Sequence, residues 1–201
     1  KSVHDIEAEQ IDFDAIEKNA VRTCDPSKAE EMAELIRATK DDQDSVGGVI
    51  ECQALGLPAG LGSPVFDKLE ARLGHALMSI GSVKGVEVGS GFRATKMLGS
   101  EHNDNVIAAN DGRLEFEHNY SGGTLGGITT GAPLVCRVPI KPTSSIGQEQ
   151  TGVTKDGHLQ QFVLEGRHDP CIVPRAVPVV KSMVALVLID ELLKQKVCSL
   201  S

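Results

Sequence analysis

Arg167, His168 and Asp169 place a cation, an imidazole and a carboxylate side by side between two apolar segments. Pro170 follows directly, so the triplet cannot belong to a long helix. The guanidinium could clamp an anion, and the carboxylate could act in acid–base chemistry with a pKa tuned by its neighbours. An ion pair that caps a turn explains the same residues, and local chemistry leaves both interpretations open.

A second group of candidate side chains directly follows an apolar strand and consists of Lys141, Pro142, Thr143, Ser144 and Ser145. A lysine beside three hydroxyls can present a charge and several directional donors to a phosphate, on a turn that proline stiffens. A polar loop is the alternative. Because loops that leave strand ends commonly hold functional sites, both interpretations stay open.

The third group is a glycine-rich segment, residues 121–131, with five glycines in eleven residues. Glycine permits positive φ and a close approach of the backbone to a planar ligand or a phosphate. The segment lacks the Lys-Ser/Thr ending of a P-loop and the strand-then-helix setting of a dinucleotide-binding fingerprint. A pair of turns at strand ends is the simpler interpretation.

Metal and hydrolase chemistry have little support in the sequence. The histidines are not spaced as metal ligands, so we expect no metal site. Ser100 and Ser182 have no base at a recognisable spacing, so a catalytic triad is unsupported.

The elements that would position these groups alternate irregularly between helices and strands. Helices are predicted over about 26–40, from Ser63-Pro64 onward with an apolar stripe that includes Phe66 and Ile80, and from Pro174 or Pro178 to about Lys196. Strands are predicted over 46–54, 83–88, 91–97, 105–114, 132–140 and 160–164. This order is typical of an α+β protein with antiparallel sheet packed on helices, and the loops around 97–127 and 141–160 are the expected places for function.

Composition excludes several classes of protein. With one Tyr, five Phe, no Trp and a net charge of -8, the chain is poorly suited to bind nucleic acid. Its longest apolar run is far below the roughly 20 residues of a membrane span. The five cysteines are odd in number and widely spaced, which predicts neither a disulfide framework nor a zinc site and favours a reducing cytoplasm.

Six motifs, in the order of one known family, resemble those of chorismate synthases. The resemblance covers about residues 46–195, and an ordered set is far more specific than one glycine-rich loop. The motifs are Gly56–Leu69, Lys84–Phe92, Gly99–Asp104, Gly122–Gly127, Lys141–Ile146 and Gly166–Cys171.

The resemblance implies a fold, a reaction and an assembly. The fold would consist of antiparallel sheets that sandwich helices, and the enzyme would be a lyase of aromatic amino acid biosynthesis in the shikimate pathway. It would eliminate phosphate from 5-enolpyruvylshikimate 3-phosphate to form chorismate. Reduced FMN would be the cofactor, NADPH a candidate reductant, and the assembly a homotetramer.

The resemblance also assigns residues. Asp169 matches the aspartate that acts beside the flavin N5, whereas His168 receives no role. Gly81 and Ser82 stand where many members have Asn-Ala or Pro-Ala, so their contact would have to come from the backbone. The implied flavin contacts are Gly81, Ser82, Gly126, Lys141, Pro142, Thr143, Ser144, Ser145 and Arg167.

Several family features are absent from the sequence. We find no Gly-Glu-Ser-His-Gly motif, arginine-rich loop, second essential histidine or Ser-Ala flavin contact, and the chain begins at Lys1 without Met. We therefore expect a single domain over 1–201, an acidic leader plus helix (1–45) and a motif-bearing core (46–201), that corresponds to the C-terminal part of the enzyme. One alternative is a catalytically silent flavin- or phosphate-binding fragment, and another is an α+β binding protein whose glycines only form turns.

Overall fold

The computed structural model describes residues 11–110 and 113–198 and combines helices with small antiparallel sheets. The helices of this described part are α1 (Phe13–Lys18), α2 (Pro26–Asp41), α3 (Leu69–Met78), α4 (Gly99–His102) and α5 (Val173–Cys198), with a 3₁₀ helix at Gly91–Lys96. The strands are β1 (Gly48–Ala54), β2 (Glu87–Val88), β3 (Val106–Asn110), β4 (Arg113–Phe116), β5 (Thr124–Leu125), β6 (Ile128–Thr129), β7 (Leu134–Ile140), β8 (Gln150–Val153) and β9 (Leu159–Phe162).

The chain forms two compact units, and the first contains residues up to Gly48 together with Ile140–Val177. Its helix α2 begins where the sequence predicts, because the carboxylate of Asp25 accepts hydrogen bonds from the backbone of Ser27 and Lys28. Strands β8 and β9 form an antiparallel hairpin. The sequence did not predict β8, which lies in the loop expected over 141–160.

Helix α1 was not predicted either, because its six residues are too few for an apolar stripe. It is fixed by local bonds instead: Asp12 caps its first turn by accepting from the backbone of Asp14 and Ala15. Ala15 is its only buried residue within the described part of the chain.

The second unit contains Val49–Pro139 and the chain from Pro178 onward. Its three-stranded sheet has the order β1-β7-β2, and β2 pairs with β7 in antiparallel register. Strand β7 alternates buried and half-buried residues, so one of its faces lies in the core. Fully or nearly buried side chains of this unit include Leu69, Leu73 and Leu77 of α3, Leu134, Cys136 and Val138 of β7, and Val180, Val184 and Val187 of α5.

Helix α3 starts later than predicted. The backbones of Ser63 and Asp67 exchange two hydrogen bonds, of 2.9 and 3.1 Å, so the chain makes a closed turn before the helix begins at Leu69. Phe66 was predicted to join the apolar stripe, but its position in this turn leaves it 91% exposed.

The predicted strand over 91–97 is wrong, since Gly91–Lys96 forms a 3₁₀ helix. Gly91 has a φ of +51°, and the amide of Phe92 donates to the Glu87 carboxylate at 3.1 Å. Only Glu87–Val88 of the predicted strand over 83–88 is extended in a sheet.

The predicted hairpin around Asn110 is present as β3 and β4, although its turn residues 111 and 112 lie outside the described residues. Helix α5 contains Pro178, which cannot donate to the carbonyl of Pro174 four residues earlier. The Arg22 guanidinium donates to that carbonyl at 3.4 Å instead.

No helix within residues 11–110 and 113–198 is long and apolar enough to cross a membrane. In the same part of the chain, no cluster of three or more His, Cys, Asp or Glu is arranged to hold a metal ion.

Candidate functional site

Two of the candidate groups, the loop at 141–145 and the triplet at 167–169, are held together in the first unit. The Thr143 hydroxyl donates to the backbone oxygen of Asp169 at 3.1 Å. The Ser45 hydroxyl donates to the backbone oxygen of Thr143 at 2.6 Å, and the Val46 amide donates to Pro170 at 2.8 Å. The segment before β1 thus anchors both loops.

The loop at 141–145 presents its donors at the surface. Lys141, Ser144 and Ser145 are exposed, and the Lys141 ammonium contacts only the backbone oxygen of Pro142, at 3.4 Å, among the described residues. The backbone oxygen of Ser144 accepts from the Gln150 side chain at 3.3 Å, which supports the loop from β8. This arrangement suits an anionic ligand.

Asp169 is an ion-paired carboxylate. Its Oδ2 lies 2.7 Å from Nη1 of Arg175, and its Oδ1 lies 3.7 Å from Nη2 of Arg167. The Asp169 side chain is 32% exposed and that of Arg167 is 86% exposed, so the guanidinium of Arg167 is accessible to a ligand. Sequence reasoning missed Arg175, which is six residues away in the first turn of α5.

His168 is held by the chain itself. Its Nε2 donates to the backbone oxygen of Leu164 at 2.9 Å, and this bond stabilises the segment that connects β9 to the triplet. This contact gives His168 a structural function in the loop.

The other assigned residues, Gly81, Ser82 and Gly126, belong to the second unit. Gly126 and Gly127 form the two-residue turn of the β5–β6 hairpin with φ values of +63° and +95°. A Cβ on Gly126 would meet no atom within 4 Å, whereas one on Gly127 would lie 2.5 Å from Cγ of Lys68. Gly126 therefore leaves its backbone open to a ligand, and Gly127 serves packing.

Ser82 adopts a φ of +71°, which is uncommon for a residue other than glycine. Strained conformations of this kind cluster at functional sites. Ser82 is half-buried, and the neighbouring Gly81 is exposed with open space around it.

A network within two of the family motifs, Lys84–Phe92 and Gly99–Asp104, supports the glycine-rich segment, and the sequence assigned its residues no role. Oγ of Ser90, a residue only 4% exposed, lies 2.7 Å from Nε2 of His102, whose ring stacks on Tyr120. The Asp104 carboxylate accepts from the amides of Tyr120 and Ser121 at 2.7 and 2.8 Å. Ser90 and His102 lie twelve residues apart, a spacing from which no local pattern predicts their contact.

Comparison with known proteins decides the family. The sequence model described as chorismate synthase matches residues 1–193. The chain belongs to the chorismate synthase family. It is 50% identical over 201 residues to the chorismate synthase of Synechococcus sp. (strain RCC307), with 98% of this chain and 56% of that protein covered. With the chorismate synthase of Prochlorococcus marinus (strain MIT 9303) it shares 49% identity over 205 residues, covering 100% and 57%.

The fold agrees with a solved member of the chorismate synthase family. A crystal structure of chorismate synthase superposes with a TM-score of 0.76 at 33% identity, over 94% of this chain and 50% of that one. The α+β fold class predicted from the sequence is thereby confirmed. The chain spans about half the length of the chorismate synthases it matches.

Proposed function

We propose that the protein acts as a chorismate synthase, a carbon–oxygen lyase that eliminates phosphate from 5-enolpyruvylshikimate 3-phosphate to form chorismate with reduced FMN. The observation that carries the proposal is the hydrogen bond from Thr143 to Asp169, because it joins two loops that the family resemblance assigns to one site. Family membership supports the reaction class.

The residues present fit a flavin phosphate or another anionic part of the ligands. Lys141, Ser144 and Ser145 are exposed donors on one short loop, and Arg167 is a highly exposed cation in the loop bonded to it. A charge-assisted contact to phosphate needs this combination of a cation and directional hydroxyls. Gly81, Ser82 and Gly126 would offer backbone contacts.

Reduced FMN, when bound, supplies an electron-rich ring that assists loss of the allylic phosphate, and NADPH is a candidate source of its electrons. We assign Asp169 to proton handling beside that ring, and its ion pair with Arg175 fixes the orientation of the carboxylate. Arg167 would contact the bound anion. Thr143 would position Asp169 through the backbone of that residue.

Replacing Asp169 by Asn in the full-length protein tests this assignment. The amide keeps the size of the side chain but cannot accept a proton as a carboxylate does, so FMN binding should persist while turnover falls by about 10²-fold to 10⁴-fold. Asp156→Asn, in the exposed turn between β8 and β9, is the matched control and should leave turnover unchanged. Full turnover by Asp169→Asn would make the triplet a turn without a chemical role.

A second candidate function is that of a catalytically silent piece that binds flavin or phosphate. It is supported by the observation that this chain spans only about half the length of the related enzymes. It predicts that a purified chain of these 201 residues binds FMN but does not form chorismate. Chorismate formation by such a chain, verified by its intact mass, would exclude this alternative. For the full-length protein we propose a homotetramer in the cytoplasm, as the resemblance implies.

A further inference from the structure

Cys52 and Cys136 lie side by side on the neighbouring strands β1 and β7 of the second unit. Sγ of Cys136 donates to the backbone oxygen of Cys52 at 3.7 Å, so the buried thiol lies directly against the facing cysteine. One position along, Arg137 pairs with Glu51 at 3.1 Å. From Cys52 to Glu51 the residue number falls, whereas from Cys136 to Arg137 it rises, as in an antiparallel pair of strands. Facing residues there have Cα atoms about 4.5–5.5 Å apart, which is within the range of about 4.4–6.8 Å that a disulfide spans.

The two thiols differ in access. Cys136 is 1% exposed on the core face of the central strand β7. Cys52 is half-buried on β1, an outer strand of the three-stranded sheet in the part of the chain that the structure describes. A small reagent from solvent would therefore reach Cys52 before Cys136.

The two thiols also differ in acidity. The neighbouring Cys136 thiol lowers the pKa of Cys52, and the Lys181 ammonium lowers it further, against the opposing effects of burial and of Glu51. The pKa of Cys136 is raised by its neighbour Cys52 and by burial. Cys52 is consequently the thiol that ionises first, and the thiolate is the nucleophilic form of cysteine.

We propose that Cys52 and Cys136 are a redox modification site, at which exchange with a small disulfide forms a reversible intramolecular disulfide. The Cys52 thiolate attacks one sulfur of the small disulfide, whose S–S bond breaks and releases one thiolate that takes up a proton. Cys136 then loses its proton and attacks Sγ of Cys52, which expels the second small thiol. Two protein thiols are oxidised, and one small disulfide is reduced to two thiols.

This site does not conflict with the pattern of five cysteines, which argued against a structural disulfide framework. Disulfides in a reducing compartment are usually transient and serve redox sensing or catalysis. Cys52 and Cys136 are not bridged to each other in the structure.

The test is to equilibrate the folded full-length protein with oxidised and reduced glutathione, block the remaining thiols and map the cysteines by mass spectrometry. Oxidised wild type should lose two hydrogens per chain, carry no glutathione adduct at Cys52 and yield a Cys52–Cys136 linked peptide that dithiothreitol removes. Cys136→Ser should instead retain a glutathione adduct at Cys52. Cys171→Ser is the control and should form the same disulfide as wild type.

Two results would overturn the proposal even if the variants fold poorly, because both are read on wild type. One is that Cys52 and Cys136 stay reduced, or Cys52 keeps its glutathione adduct, across the full range of glutathione ratios. The other is a Cys52 linked to a different cysteine. In reduced wild type, alkylation at Cys52 should be at least about tenfold faster than at Cys136, with half-maximal rate at a pH below the value of about 8.5 for a free thiol.

Discussion

Thr143 and Asp169 show at the scale of single residues what the sequence could and could not predict. Residue types predicted phosphate-binding and acid–base groups on two loops, but each loop also had a simpler interpretation. The bond from the Thr143 hydroxyl to the Asp169 backbone spans 26 positions in sequence, and no local pattern encodes such a contact. Arg175, which orients Asp169, was missed for a related reason: its position six residues later has no fixed geometry outside a continuous helix.

Thr143→Val should separate stability from positioning. Removing the hydroxyl leaves the Asp169 carbonyl without this donor, so the variant should be destabilised by about 0.5–1.5 kcal/mol, measured by urea unfolding. FMN affinity and turnover should also fall, since the loops lose their direct link. Thr143→Ser keeps the hydroxyl donor, so its stability, FMN affinity and turnover should be those of wild type. Equal FMN affinity in Thr143→Val and in wild type would show that Thr143 does not position the site.

Helices with strong local signals were predictable at the scale of elements. Helix α2 has its N-cap at Asp25 and a proline at the first position, and its observed start matches the prediction. The start of α3 was not predictable, because the backbones of Ser63 and Asp67 pair with each other and close a turn where the sequence pattern favours helix. The conformation of Gly91–Lys96 was not predictable either, because the amide of Phe92 bonds to the Glu87 side chain and not to a neighbouring strand. The predicted apolar stripe is correct for Leu69, Leu73 and Leu77, whereas Ile80 lies beyond the end of the helix at Met78 and is half-buried.

The buried stripe of α3 predicts a clear mutational contrast. Leu73 is fully buried, so Leu73→Ala should create a cavity and cost about 2–5 kcal/mol of the free energy of unfolding. His75 lies two residues away on the exposed side of the same helix, and His75→Ala should change stability by less than about 0.5 kcal/mol. Denaturant unfolding of both variants measures the difference, and similar values would contradict the assignment of the core face.

At the scale of the whole molecule, the sequence predicted the α+β class and the family, and both are confirmed. The prediction of a single domain over 1–201 stays a prediction, and the chain forms two compact units. The hydrophobic pattern predicts which faces of helices and strands are buried, but it does not predict which distant segments of the chain pack together in one compact unit. The assigned residues fall into both units: Lys141–Ser145, Arg167 and Asp169 in the first, Gly81, Ser82 and Gly126 in the second. Our proposal of a flavin site rests on the residues of the first unit, the loop at 141–145 and the triplet at 167–169.

The most direct test of this proposal is a fluorescence titration of FMN into the full-length protein and its Lys141→Gln variant. Loss of one charge-assisted contact of about 1.5–3 kcal/mol should raise the Kd by roughly tenfold to 100-fold. Lys155→Gln, in the exposed turn between β8 and β9, matches the substitution and should leave the Kd unchanged. An unchanged Kd in Lys141→Gln, or an equal loss in both variants, would contradict the assignment of this loop to the flavin.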